Sequence, residues 1–384
     1  MTTTSDTPAT VRPLRLGMVG GGPGAFIGAV HRIAARLDGA FELVAGAFSS
    51  DHGRCLERAA EWNVEPERAY ASWQDLLRAE SERPADERVQ VVVVVTPNHL
   101  HHEIAIAALE AGFDVACDKP LTTSSALADE IARAVERTGR RFLVTHNYTG
   151  YPLVREARAL IARGDLGELR RVDVEYVQGW LAEDLAAQGQ KQAAWRADPA
   201  LAGPGGALGD IGTHAFNLAE FVCGARVERL FGRRHSFVAG RAVDDDAEAL
   251  LELTGGVRGT LRCSQVCVGR ENGLVLSVFG TRGGLTWRQE HPNDLELHRP
   301  EGGLTVKRTA NADLSPLAAA SARTPPGHPQ GFLEAFANLY RDLATAIRAE
   351  APLPDHLPSV TDGVRGVRFV EAVIESDARG WVEL

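Results

Sequence analysis

Lys119, Asp210 and His214 are the side chains of this 384-residue sequence whose types could share one reaction. Asp210 and His214 stand four apart in the run Gly205-Gly206-Ala207-Leu208-Gly209-Asp210-Ile211-Gly212-Thr213-His214, which leads into a helix through Cys223. Positions i and i+4 share a helical face, so the carboxylate and the imidazole point the same way. An imidazole with an unperturbed pKa near ~6.5 suits proton transfer at cellular pH, which makes His214 a candidate base. An ammonium such as Lys119 can hydrogen-bond a reacting oxygen and stabilise the negative charge that develops there. Asp210 would orient a bound ligand or influence His214. A helix-capping Asp beside a buried His is the bland alternative, and a glycine cluster elsewhere in the chain argues against it.

That cluster, Gly20-Gly21-Gly22-Pro23-Gly24-Ala25, follows the first predicted strand, Leu14 to Val19, and opens a helix bearing Phe26, Gly28 and His31. Glycines there let the backbone turn tightly and approach a pyrophosphate, whose charge is stabilised by free N–H groups at the helix start. The second strand ends Ala47-Phe48-Ser49-Ser50-Asp51, with Arg54 close behind. Ser49, Ser50 and Arg54 suit a ribose 2′-phosphate, whereas Asp51 suits the free 2′-hydroxyl, so NAD and NADP both stay open. Thr96-Pro97-Asn98 ends a third strand, and Asp118-Lys119-Pro120 follows a fourth, at the sheet edge where open α/β folds bind ligands. Lys119 would then stand near the nicotinamide.

The elements that must position these residues change character midway. From Leu14 to about Val144, β-branched runs alternate with amphipathic stretches, as in βαβ units of a parallel sheet, and Val89 to Thr96 is nearly all valine, as for a strand buried on both faces. Predicted helices span Ala25 to Leu37, Gly53 to Trp62, His101 to Ala111 and Ser124 to Thr138. After a helix from Tyr151 to Arg163, strands dominate: Leu169 to Trp180, Val227 to Phe237, Ala247 to Leu253, Arg258 to Val268, Leu274 to Gly280 and Gly284 to Glu290. Gaps such as Thr254-Gly255-Gly256 imply hairpins and a mostly antiparallel sheet. The Ala-, Ser- and Pro-rich stretch Leu314 to Pro329 reads as a mobile loop, before helices Gly331 to Ile347 and Thr361 to Asp377. The expectation is a Rossmann domain over residues 1–146 and an α+β domain over 147–384.

Composition narrows the function classes. A net charge of -10 without a basic run argues against a nucleic-acid binder, and 44% hydrophobic with 24% charged residues fits an ordinary globular protein. No apolar run approaches the ~20 residues of a membrane span, and the Thr-rich N-terminus lacks a signal-peptide pattern, so a cytoplasmic location is expected. Five cysteines without CxxC spacing suit reduced core thiols, and no metal site is expected.

The glycine loop, Thr96-Pro97-Asn98 with His101, Asp118-Lys119-Pro120 and the Asp210 to His214 pair, taken in order, resemble the Gfo/Idh/MocA family of sugar and inositol dehydrogenases over nearly the whole chain. Two departures stand out. The family usually carries Glu-Lys-Pro where this chain has Asp118-Lys119-Pro120, and its glycine-to-histidine spacing fits Gly28 and His31, so the loop looks expanded. The resemblance implies hydride transfer between NAD or NADP and a secondary hydroxyl of a sugar, glycoside or cyclic polyol, in a homodimer or homotetramer. Lys119, Asp210 and His214 would be catalytic. The dinucleotide would rest on Gly20, Gly22, Pro23, Gly24, Ala25 and Phe26; on Ser49, Ser50 and Arg54; and on Thr96, Pro97, Asn98, His101, Asp118 and Lys119. Substrate contacts are expected from Asn147, Tyr148, Trp195, Arg196, Asp210 and His214, and from His328, whose Pro-flanked segment Thr324 to Gly331 would fold over the substrate opening of its own subunit or a neighbour's; an exposed histidine at a helix entry is the bland alternative. A nicotinamide-dependent glycosidase, working by transient oxidation and elimination, is the alternative in another reaction class.

Overall fold

The computed structural model describes residues 12–185 and 187–384. The first half alternates β1 (Leu14–Gly20), α1 (Phe26–Leu37), β2 (Phe41–Ala47), α2 (His52–Trp62), α3 (Trp73–Glu82), β3 (Val91–Val95), α4 (His101–Glu110), β4 (Asp114–Cys117), α5 (Ser125–Thr138) and β5 (Phe142–Val144). The five strands are parallel in the order β2-β1-β3-β4-β5. The chain winds outward in both directions from the β1/β3 pair, so a crevice opens beyond their carboxyl ends. All five valines of β3 are buried, as a strand covered by helices on both faces requires.

The second half begins with α6 (Pro152–Ala162) and β6 (Leu169–Val177), then passes through short helices α7 (Lys191–Arg196) and α8 (Pro199–Ala202). A π-helical turn, Leu208–Gly212, runs straight into α9 (Thr213–Cys223). Strands β7 (Val227–His235), β8 (Asp246–Leu253), β9 (Arg258–Ser264), β10 (Gly273–Gly280), β11 (Gly284–Arg288), β12 (Asp294–His298) and β13 (Leu304–Arg308) follow, then α10 (Pro316–Ala320), α11 (Phe332–Arg348), α12 (Val360–Arg379) and β14 (Val382–Glu383). They form one nine-stranded sheet, β13-β12-β11-β10-β6-β9-β8-β7-β14. Its pairs are antiparallel except β6 with β9, so the sheet is mixed. Alternate residues of β6, Val172, Val174 and Tyr176, turn inward to a core shared with α6 and α9.

The structure adds elements that the sequence did not announce, among them α7, α8 and β14. Helix α3, capped by Ser72, fills a stretch that carried no assignment. Strands β12 and β13 lie where the periodicity weakens. The segment expected to be a mobile loop contains α10, whose end is fixed by the buried Ser321 accepting from Arg155 Nη1 at 2.8 Å. Helix α11 belongs by sequence to the second half, yet its Phe336, Leu339, Tyr340 and Leu343 join the core of the first, so the chain returns to brace the parallel sheet. Among the described residues, no helix is long and apolar enough to cross a membrane, and no three His, Cys, Asp or Glu side chains gather as a metal site.

Candidate active site

A cleft of about 1360 Å³ runs from the glycine loop, past the ends of β3 and β4, to the inner face of the nine-stranded sheet. At one end the backbone makes the dinucleotide cradle. Gly20 has φ 93°, and a Cβ there would stand 2.6 Å from the Val95 carbonyl. A Cβ on Gly28 would stand 2.6 Å from the Gly21 Cα, so Gly28 is the glycine that lets α1 pack on the turn. The N-terminus of α1 has no side-chain cap, which leaves its first-turn N–H groups for an anion such as a pyrophosphate. Gly20, Gly22, Pro23, Ala25 and Phe26 line this end, as do Ser49, Ser50 and Arg54. Asp51 also lines it, but its Oδ1 is engaged in capping α2 through the Arg54 N–H at 3.1 Å, while the Arg54 guanidinium donates to the Pro23 carbonyl at 3.0 Å. Thr96, Pro97, Asn98 and Asp118 line the middle.

Lys119 and Asp210 meet across this cleft from different halves of the chain. The ammonium donates to the Asp210 carbonyl oxygen and, at 3.1 Å, to its Oδ1. Asp210 Oδ2 accepts from Gln265 Nε2 at 2.8 Å and faces Arg196 Nε at 3.3 Å. Burial alone would push the Asp210 carboxyl up, but the charges of Arg196 and Lys119 and the two hydrogen bonds hold it far below the usual carboxylate range. His214 lies one turn on. The chain between them leaves the π-helical turn, wider than an α-turn, and enters α9. The His214 ring is 8% exposed, edge-on to Tyr148 at 4.8 Å between centroids and to His146 at 5.5 Å. Burial, then Lys119 and His146, push its pKa well below that of a free histidine, so the ring is neutral at cellular pH.

Asn147, Tyr148, Trp195 and Arg196 line the same end. Asn147 is buried and its Nδ2 lacks a hydrogen-bond partner; the Arg196 guanidinium lies over the Trp195 ring at 4.4 Å. Three expected contact residues do not line the cleft of this chain. Gly24 is exposed and does not line the cleft; its φ of 82° serves the turn alone. His101 is fully buried behind the cleft wall, wedged between the carbonyls of Thr96 at 2.8 Å and Pro120 at 3.1 Å, where it braces the loops after β3 and β4. His328 does not line the cleft either; it is exposed, its Nδ1 faces the Pro325 carbonyl at 3.2 Å and its own carbonyl accepts from Thr324, which closes a local turn.

Tyr148 also belongs to a polar wall facing His214, whose other members the sequence did not point to. Tyr148 Oη lies 2.6 Å from Tyr176 Oη, which donates to Asn272 Oδ1 at 2.6 Å; Asn272 Nδ2 returns to Tyr148 at 3.3 Å, and Gln178 Nε2 donates to Asn272 at 2.9 Å. Gln289, bonded to Tyr151, extends the wall. The one signal was the alternation of β6, whose inward face turns from Val172 and Val174 to Tyr176 and Gln178.

Two family models match the chain: an oxidoreductase family, NAD-binding Rossmann fold, over residues 14–146, and a GFO/IDH/MocA C-terminal domain over residues 154–286. An uncharacterised oxidoreductase of Bacillus subtilis (strain 168), YfiI, is 35% identical, covering 97% of each chain. The structure of an inositol dehydrogenase homologue from Azotobacter vinelandii complexed with NADH and myo-inositol superposes with a TM-score of 0.90 at 38% identity, over 97% of this chain and 98% of that one. Levoglucosan dehydrogenase in complex with NADH and levoglucosan superposes with a TM-score of 0.84 at 25% identity, over 97% of this chain and 99% of that one. The chain therefore belongs to the Gfo/Idh/MocA family of oxidoreductases and carries its NAD-binding Rossmann domain.

Proposed function

We propose that this oxidoreductase converts a secondary hydroxyl of an uncharged cyclic polyol or sugar to a ketone. The observation that carries the reading is the juxtaposition of the Lys119 ammonium, held by Asp210, with the buried neutral imidazole of His214. NAD, which the glycine loop would hold, would supply the hydride acceptor.

The roles follow from protonation state. A neutral His214 can take the hydroxyl proton, and the rings of Tyr148 and Tyr176 packed against it hold the imidazole in place. Lys119 offers its remaining N–H to the same oxygen and stabilises the alkoxide as it forms. Asp210 fixes the ammonium from below while Gln265 and Arg196 fix Asp210. The wall of Tyr148, Tyr176, Gln178, Asn272 and Gln289 offers phenol and amide groups to other ring hydroxyls. Among the described lining residues at this end, both cations are committed to Asp210, which favours a neutral ring over a phosphate or carboxylate. The polyol and sugar named for the related structures fall within this class.

The test is a panel of inositols, aldoses, glycosides and sugar phosphates incubated with NAD, monitored for reduced nicotinamide. Oxidation of neutral rings, abolished in His214→Gln, is expected. Turnover confined to phosphorylated or acidic sugars would overturn the substrate class, and leaving-group release without net reduction would instead favour a glycosidase.

A further inference from the structure

The π-turn that carries Asp210 has a buried anchor that lies outside the cleft. Asp244 is 3% exposed, and its carboxylate accepts from the Gly206 N–H through Oδ1 and from the Leu208 N–H through Oδ2, both at 2.8 Å. Its main-chain oxygen accepts from the Ala207 N–H between them at 3.0 Å. Three successive amides that a helix start leaves without internal partners are thereby all met by one residue. Gly206 must be glycine for this approach, because a Cβ there would collide with the Asp244 carbonyl. The Gly206 carbonyl in turn accepts from the Asp210 N–H at 2.9 Å, which carries the constraint to the site.

The next residue works on Asp210 from the other side. Asp245 is tied to the Phe237 and Val238 N–H groups and to Arg241, and its carbonyl accepts from the Gln265 N–H at 2.8 Å. Gln265 is the residue whose side chain holds Asp210 Oδ2. The tandem carboxylates thus fix the backbone under Asp210 and the amide beside it.

We infer that Asp244 is a positioning residue for the reaction, acting through the π-turn to set Asp210, and with it Lys119 and His214, in register with the substrate. The inference rests on the roles given to those three residues above. A burial of this kind is costly for a carboxylate; it pushes the Asp244 pKa up to about 6, against the two amide hydrogen bonds. An apolar residue would hold the core without that cost but could not fix the three amides.

Asp244→Asn keeps the shape but turns one acceptor into an N–H facing an N–H, and Asp244→Ser keeps one acceptor. Each is expected to lower kcat about 10- to 100-fold, as a misplacement of about 1 Å would, while NADH binding, followed by its fluorescence, stays at wild-type affinity. The decisive readout is a double-mutant cycle with Asp210→Asn, measured by single-turnover NADH formation on the neutral ring that the wild type oxidises fastest. Acting through Asp210, Asp244→Asn should cost little more once Asp210 is already changed. Equal losses in both backgrounds, undiminished kcat in the single variants, or NADH affinity falling in step with kcat would each overturn the inference. Wild-type turnover by Asp210→Asn alone would instead remove the catalytic reading on which it stands.

Discussion

His146 lies at the end of β5, 2% exposed, beside the candidate base His214, and its burial sets a measurable pH dependence. Burial, aided by Lys119 and opposed by Asp362 and Asp118, lowers its pKa from 6.5 to about 4. In the unfolded chain the ring takes a proton near pH ~6.5, whereas the folded protein refuses it until near pH 4. Between those values the unfolded state binds more protons, so stability is complete above the unfolded pKa and is lost as pH falls toward the folded one. About two and a half pKa units correspond to about 3 kcal/mol in full, of which about 2 kcal/mol is lost between pH 7 and pH 5. Urea unfolding at those two pH values, on the wild type and on His146→Gln, isolates the contribution, because the other buried histidines are common to both proteins. The wild type should lose about 2 kcal/mol more than the variant over this interval. Parallel losses would refute the assignment of a buried neutral ring. The depressed carboxylates do not blur the window, since Asp118 and Asp342, both held to about 2, lose their contributions only below about pH 4.

Three further outcomes follow from the site. Lys119→Ala should lower kcat about 10²- to 10³-fold, the usual cost of one oxyanion donor, with little change in NADH affinity; equal losses in both would mark Lys119 as a cofactor clamp. With Ser49 and Ser50 at the end of β2 and Asp51 engaged in capping α2, NADP should be accepted detectably, and Arg54→Ala should weaken NADP use about tenfold more than NAD use; identical effects on both cofactors would exclude a contact to the 2′-phosphate. His101→Ala should destabilise the protein by about 2 kcal/mol in urea unfolding, as the ring is lost from between the two loops and whichever of the Thr96 and Pro120 carbonyls takes its one N–H loses a donor; an unchanged midpoint would show that the brace carries no energy.

What the sequence made legible was local. Glycines between a strand and a helix, five valines in a row, and an Asp and a His four apart each report their surroundings within one turn or strand, and the structure brings Lys119, Asp210 and His214 to one cleft. The parallel pairing of β6 with β9 joins strands separated by the whole π-turn and α9, so no hairpin signal announces it. Strands β12 and β13 are short and rich in charge near the open edge, which flattens the alternation that marks a half-buried strand. His101 and His328 lie off this chain's cleft for opposite reasons. The first stands next to the cleft in sequence but turns behind its wall, and the second sits on a turn closed by its own backbone. The polar wall of Tyr176, Gln178, Asn272 and Gln289 gathers four residues from three stretches of the chain, and beyond the alternation of β6 only its geometry reveals it.

The central claim is tested most directly by following reduced nicotinamide when purified protein and NAD meet a neutral cyclic polyol or sugar, with wild type, Lys119→Ala and His214→Gln in parallel. The account predicts net NADH formation by the wild type, and its loss in both variants while they still bind NADH. A wild type that binds NADH yet reduces no NAD across the neutral panel, or a His214→Gln variant that turns over at the wild-type rate, would contradict it.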